Sequence, residues 1–212
     1  MRQYFKSKNS DRLLLFFAGW ACDEYEFEHL ETDSDLLIVY DYSDFTLNFD
    51  FLKYKEINLI AFSAGVFAAS IYDFNFKINT KIAMNGNPFI FDEHFGLSKD
   101  IQKLLYNQNE ETADEFARNY LLKTDEEYKN FHHSRRTVKS CREEFENLKK
   151  LYKENKDKIT NIYDYAIVGK DDEIFKAEAQ KEFYKDKVRV IDNARHNLFF
   201  RIEKYEDIMK FI

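Results

Sequence analysis

Ser63 stands in "INLIAFSAGVFAAS", a segment otherwise built almost wholly of apolar and small residues. A hydroxyl there is either a buried turn residue or a nucleophile held out at the end of a strand. The local pattern A-F-S-A-G is a variant of the G-x-S-x-G elbow, with Ala61 in place of the first glycine. That elbow wants small residues two positions before and after the serine, because the strand-to-helix turn is so tight. Ala61 and Gly65 meet the steric need, and the flanks suit a strand before and a helix after. A nucleophilic serine also needs a base, and the base needs an orienting carboxylate.

Of the five histidines, His29, His132 and His133 lie in charged, helix-like stretches and read as surface residues, and His94 in "FDEHFG" is ambiguous. His196 differs: "VRVIDNARHNLFF" places it in a short loop after the last apolar run. For the acid, "AIVGKDDEIF" offers Asp171 and Asp172, which residue types alone do not separate. The order serine, aspartate, histidine is that of the α/β-hydrolases. An oxyanion hole would take one backbone N–H from Ala64, just after the nucleophile. The second would come from the loop after an earlier strand. "FFAGW" supplies such a loop, with Trp20 N–H as the donor and Gly19 letting the backbone approach a substrate.

These positions need a frame that brings them together. Continuous apolar runs at 13–19, 35–42, 57–63, 81–86, 162–169 and 188–192 suit strands buried on both faces, as in a parallel sheet covered by helices. Residues 2–7 read as an added edge strand, and 64–74, 174–184 and 202–212 read as helices. The alternation predicts an α/β fold with a mostly parallel central sheet flanked by helices. In such a sheet the loops that follow strands share one edge, where ligands bind. Ser63, Asp171 or Asp172, His196 and Trp20 all follow strand candidates. From Ser98 to Thr160 the rhythm breaks into charged, helix-patterned chain with apolar residues such as Leu104, Leu105, Phe145 and Leu148. That is too long for an ordinary loop, and it reads as a helical cap inserted into a single domain spanning 1–212.

Composition narrows the class. The formal net charge of −7 argues against general nucleic-acid binding. No apolar run approaches the roughly 18 residues that span a bilayer, and the polar start "MRQYFKSKNSDR" lacks the apolar core of a signal peptide. Two cysteines far apart give no disulfide framework, so a cytoplasmic setting is expected. One region departs from the acidic average: "KNFHHSRRTVKSCR", 129–142, carries five bases and no acid.

"LLLFFAGWACDEYEF", "LIAFSAGVFAA", "AMNGNPFIFDEHFGL", "VGKDDEIFKAEAQ" and "DNARHNLFF" together resemble the BioG family, pimeloyl-acyl-carrier-protein methyl ester esterases of biotin synthesis. More distantly they resemble its functional counterpart BioH, which shares the Gly-Trp after the oxyanion strand. The resemblance covers nearly the whole chain and implies the α/β-hydrolase fold. Carried onto this sequence, it marks Ser63, Asp172 and His196 as the triad, the acid standing three after the glycine, and Trp20 as the oxyanion residue. Ala18 departs from the histidine that many hydrolases place before Gly-Trp, and Lys176 from a common proline.

The resemblance also implies a substrate, a methyl-capped dicarboxylate on the phosphopantetheine of acyl carrier protein, and neither cofactor nor metal. The basic stretch then has a candidate purpose. If 134–146 is helical, Arg135, Lys139 and Arg142 share a face at i, i+4 and i+7, and with Arg136 they could meet an acidic carrier protein. The plainer expectation is a solvated face with local pairs, Lys139 with Glu143 and Arg142 with Glu146. Two rival functions are a broad esterase or thioesterase without carrier recognition, and a non-catalytic binding module on the same fold. A monomer is expected, with no nucleic-acid or membrane partner.

Overall fold

A computed structural model describes residues Met1 to Ile212. Seven strands form one sheet: β1 (Arg2–Lys6), β2 (Arg12–Phe17), β3 (Asp35–Tyr40), β4 (Glu56–Phe62), β5 (Thr80–Met84), β6 (Tyr165–Gly169) and β7 (Val188–Ile191). Their order is β1-β3-β2-β4-β5-β6-β7. All neighbours are parallel except β1, which pairs antiparallel with β3 at the edge.

The pleat explains why the strand runs are apolar without interruption. Successive side chains point to opposite faces, and both faces are buried. Leu13, Leu15 and Phe17 of β2 enter one core with Leu59 and Ala61 of β4. Leu14 and Phe16 enter the other with Ile60 and Phe62. The two covers differ. The first is roofed by α-helices: α1 (Ala64–Ile71), the cap and α6 (Ala177–Tyr184). The second carries no α-helix; 3₁₀ turns at Glu24–Phe27, Phe199–Arg201 and Tyr205–Phe211 close it with Phe27, Phe199, Tyr205 and Ile208. The expected helix at 202–212 is therefore a 3₁₀ turn. The helix expected from 174 starts only at Ala177, since Lys176 before it has a non-helical backbone at φ −53° and ψ 128°.

Between β5 and β6 the chain leaves the sheet. It forms α2 (Lys99–Tyr106), α3 (Ala113–Phe116), a π-helical turn at Ala117–Leu121, α4 (Asp125–Asn130) and α5 (Val138–Asn155). Ser98 caps α2 and Thr124 closes a capping box on α4. The helix expected over 134–146 begins at Val138, since Thr137 is extended and its side chain accepts from Ser140 N–H as the N-cap. Arg135 and Arg136 thus precede α5, and the shared helical face of Arg135, Lys139 and Arg142 does not form. No helix is long and apolar enough to cross a membrane.

Candidate active site

Ser63 follows β4 directly and caps α1 with φ 55° and ψ −122°. A non-glycine residue there is strained by about 1–3 kcal/mol, a cost that persists only where the surroundings hold it. The restraints are visible. Ser63 N–H donates to Met84 O at 2.9 Å, and its carbonyl accepts from Val66 N–H at 3.0 Å. Gly65 is obligatory, because a Cβ there would lie 2.2 Å from Phe17 O. Ala61 is fully buried in the sheet beside Phe17 and Ala83, so the missing first glycine leaves the elbow intact.

The sheet edge brings the other expected residues to this point. His196 Nε2 lies 3.0 Å from Ser63 Oγ, and His196 Nδ1 lies 2.9 Å from Asp172 Oδ2. An ionised carboxylate only accepts, so Nδ1–H donates to Asp172 and Nε2 is left to accept from the serine. The other oxygen, Asp172 Oδ1, accepts from the N–H groups of Ile174 at 2.8 Å and Phe175 at 3.1 Å, and the side chain is fully buried. Asp171 points elsewhere. It pairs with Lys123 at 2.8 Å on the surface, and that hydrogen bond holds its carboxyl below the usual range. Of the two acids left open by residue type, Asp172 is the one within hydrogen-bond reach of His196.

The remaining histidines stay away from the serine. His94 pairs with Glu182 at 2.8 Å, His133 with Asp114 at 2.8 Å, His29 stacks on Phe200 and His132 on Tyr25. The loop of Trp20 reaches the site after β2. The backbone N–H of Trp20 has no acceptor within the protein, and Ala64, as first residue of α1, presents an N–H ahead of the helical ladder. Both are free for an oxyanion. Gly19 has a packing reason as well: a Cβ there would meet Cys22 Sγ at 3.2 Å and the Phe62 ring at 3.3 Å.

Several supporting residues carry no motif. Asn85, just after β5, donates from Nδ2 to His196 O at 2.6 Å and Arg195 O at 3.1 Å, while its Oδ1 accepts from Gly169 N–H at 2.7 Å. It ties the ends of β5 and β6 to the histidine loop. A polar residue closing an apolar strand at the ligand edge, "IAMNGN", was the available signal. The cap holds the same loop: Tyr120 O accepts from His196 N–H at 3.4 Å and Leu121 O from Asn197 N–H at 2.9 Å. The last carbonyls of a helical turn have no partner within it and are open to such outside donors, and these are backbone atoms with no residue signature.

The basic stretch is divided by its surroundings. Arg136 is not a surface residue: its side chain is 1% exposed, and it pairs with Glu144 at 2.6 Å and Asp41 at 2.9 Å. Arg135 lies over the Tyr25 ring at 3.5 Å. Lys139 is 85% exposed with Glu143 at 3.7 Å, the expected local pair. Arg142 bonds Tyr106 O at 3.3 Å rather than Glu146, which pairs with Lys149. A cavity of about 400 Å³ opens over Ser63 and His196 beneath the cap, lined mainly by apolar residues including Ile90, Leu97, Leu105, Phe145 and Leu148. Glu26 also lines it, buried beside Cys22 at 3.6 Å, and burial pushes its carboxyl up to about 8.

Comparison with known proteins places this geometry. BioG from Haemophilus influenzae superposes with a TM-score of 0.85 at 28% identity, covering 97% of this chain and 98% of that one. An esterase from Exiguobacterium antarcticum (TM-score 0.66, 16% identity, 99% and 92% covered) and a lipase-esterase related protein from Clostridium acetobutylicum (0.63, 19%, 99% and 99%) share the fold. The fold is that of the α/β-hydrolases. A malonyl-[acyl-carrier protein] O-methyltransferase of Bacteroides fragilis is 33% identical over 87% of this chain, which spans 39% of that protein's length. An uncharacterized protein of Haemophilus influenzae is 36% identical over 56% of each chain. The family described as pimeloyl-ACP methyl esterase BioG matches residues 1–208, and the chain belongs to it.

Proposed function

We propose that this protein is a serine esterase that hydrolyses the methyl ester of pimeloyl-acyl carrier protein, releasing methanol and the free carboxylate within biotin synthesis. The observation that carries the chemistry is the unbroken chain from Ser63 Oγ through His196 to Asp172, at 3.0 and 2.9 Å, facing a capped apolar cavity. Family membership supports the choice of substrate.

Each step has a residue. His196 Nε2 takes the Ser63 proton as Oγ attacks the ester carbonyl, and Asp172 stabilises the imidazolium without itself being protonated. The N–H groups of Trp20 and Ala64 receive the oxyanion. On collapse His196 returns the proton to the leaving methoxide, giving methanol and an acyl-Ser63. Water, deprotonated by His196, then releases the acid through a second oxyanion. The aliphatic lining suits a methylene chain, which makes no hydrogen bonds and would be held by burial alone.

The carrier would approach from the cap. Exposed Lys139, Arg142 at the border of the cavity, and Arg135 nearby offer positive charge to an acidic partner. The test sets methanol release from the carrier-bound methyl ester against hydrolysis of a short aryl ester. A kcat/KM for the carrier-bound ester about tenfold or more above that of the aryl ester at low salt supports carrier recognition. Equal values favour a broad small-acyl esterase, and no hydrolysis of either favours a binding module.

A further inference from the structure

We infer that Glu144 is a positioning residue for the oxyanion donor, holding the Trp20–Ala21 segment from the cap, with Arg136 fixing its carboxylate in place. The inference rests on the esterase reading above. Glu144 lies in α5, and its side chain is fully buried. Its Oε2 accepts from Ala21 N–H at 3.0 Å and from Arg136 Nη1 at 2.6 Å, and its Oε1 from Tyr42 N–H at 3.1 Å. Arg136 in turn reaches Asp41 at 2.9 Å and Ser140 Oγ at 2.9 Å. Chain segments after β2, after β3 and before α5 thus converge on one carboxylate.

Such a cluster is a poor way to gain stability, since desolvating the charges offsets most of their attraction. What it supplies is direction. Ala21 at φ 63° and Asp41 at φ 58° are non-glycine residues in left-handed backbone, and each is held by this network. Ala21 follows the oxyanion donor, so anchoring its N–H fixes the peptide plane on the C-terminal side of Trp20. The same helix grips Trp20 again, where indole Nε1 donates to Cys141 O at 2.7 Å. Cys141 and Glu144 are three apart and share a helical face, and Phe145 packs its ring against the indole at 5.7 Å. The loop that offers the oxyanion donor is therefore aimed by the cap as well as by the sheet.

The test uses the full chain with a short aryl ester as substrate and an alkyl trifluoromethyl ketone as inhibitor. Addition of Ser63 Oγ to the ketone carbonyl places a negative oxygen in the oxyanion hole, so its Ki reads that hole directly. Glu144→Ala is expected to lower kcat about 100-fold with KM within about threefold, and to raise Ki in step with the fall in kcat/KM. Glu144→Gln, which keeps an acceptor for one backbone N–H, should recover part of both. If Glu144→Ala does not fold, Glu144→Gln carries the test with about a tenfold rise in Ki.

Asn147→Ala is the structural comparison, because Asn147 on the same helix donates to Tyr42 O and makes no hydrogen bond of its own to the oxyanion loop. It should lower Tm and leave Ki unchanged. An unchanged Ki in folded Glu144 variants, or an equal rise in Asn147→Ala, overturns the positioning role alone. A wild-type protein inert to both ester and ketone overturns the esterase reading, and this inference with it.

Discussion

At the edge of the sheet, Ser63, Asp172 and His196 stand on short loops that begin at strand ends, and neighbouring strands fix those ends by parallel pairing. The cap reaches the same site through other means: the carbonyls of Tyr120, Leu121 and Cys141, and the buried charges of Glu144 and Arg136. The edge brings Ser63, His196 and Asp172 together, and the cap makes hydrogen bonds to the loops of Trp20 and His196. A change at the edge should therefore remove a reacting group, whereas a change in the cap should leave every group present and aim it badly.

That contrast also governs what could be read from the chain. The strands were legible because burial on both faces demands uninterrupted apolar runs such as "LLLFF" and "INLIAF". Ser63, Asp172 and His196 were legible because chemistry demands their types in a known order after those runs. Choosing Asp172 over Asp171 by geometry needed the fold, since both follow the same strand. The stretch between β5 and β6 was legible only as charged, helix-patterned chain without strand candidates. Arg136 and Glu144 sit in a stretch of charges that reads as solvated surface, and nothing local reveals that Asp41, remote in sequence, turns Arg136 inward. The start of α5 at Val138, rather than at 134, follows from the Thr137 cap, a signal present in "RRTVKS" but outweighed by the charge pattern.

The largest effect that would break the contrast concerns the nucleophile. Ser63→Ala should cost about 10⁴-fold or more in kcat with little change in Tm, measured as methanol release beside thermal unfolding. Next comes the adjacent acid pair. Asp172→Asn leaves His196 with the wrong tautomer and should lower kcat about 10³–10⁴-fold, whereas Asp171→Asn, losing only a surface pair to Lys123, should stay within about threefold. Comparable losses from both would show that the edge does not discriminate as its geometry implies.

The cap surface should respond more weakly. Charge reversal at Arg135, Lys139 and Arg142 together should lower kcat/KM on the carrier-bound ester about tenfold at low salt, leaving the aryl ester unaffected. Arg136 does not belong in that set; its replacement should act on Tm and on both substrates alike, because it is buried.

The smallest effect sharpens the contrast through Glu26, an acid buried in the cavity wall whose pKa is pushed up to about 8 mainly by burial, with Asp23 adding to it. A carboxyl raised in the folded state binds its proton more tightly there than when unfolded. Stability is therefore unaffected below the unfolded value near 4.5, falls as pH rises towards about 8, and is level above it. Glu26→Gln removes that dependence. Its Tm should exceed that of the wild type by a margin that widens from pH 5 to 8. A margin that is constant with pH would place the Glu26 charge in contact with water.

The central claim is that Ser63 is the nucleophile of an ester hydrolase, and covalent trapping tests it most directly. The wild-type protein is treated with an alkyl fluorophosphonate, digested, and mapped by mass spectrometry while residual methanol release from pimeloyl-acyl carrier protein methyl ester is followed. One adduct per chain is expected, on the peptide that contains Ser63, with turnover lost in proportion to labelling. An adduct on any other residue, or full turnover after complete labelling of Ser63, would contradict it.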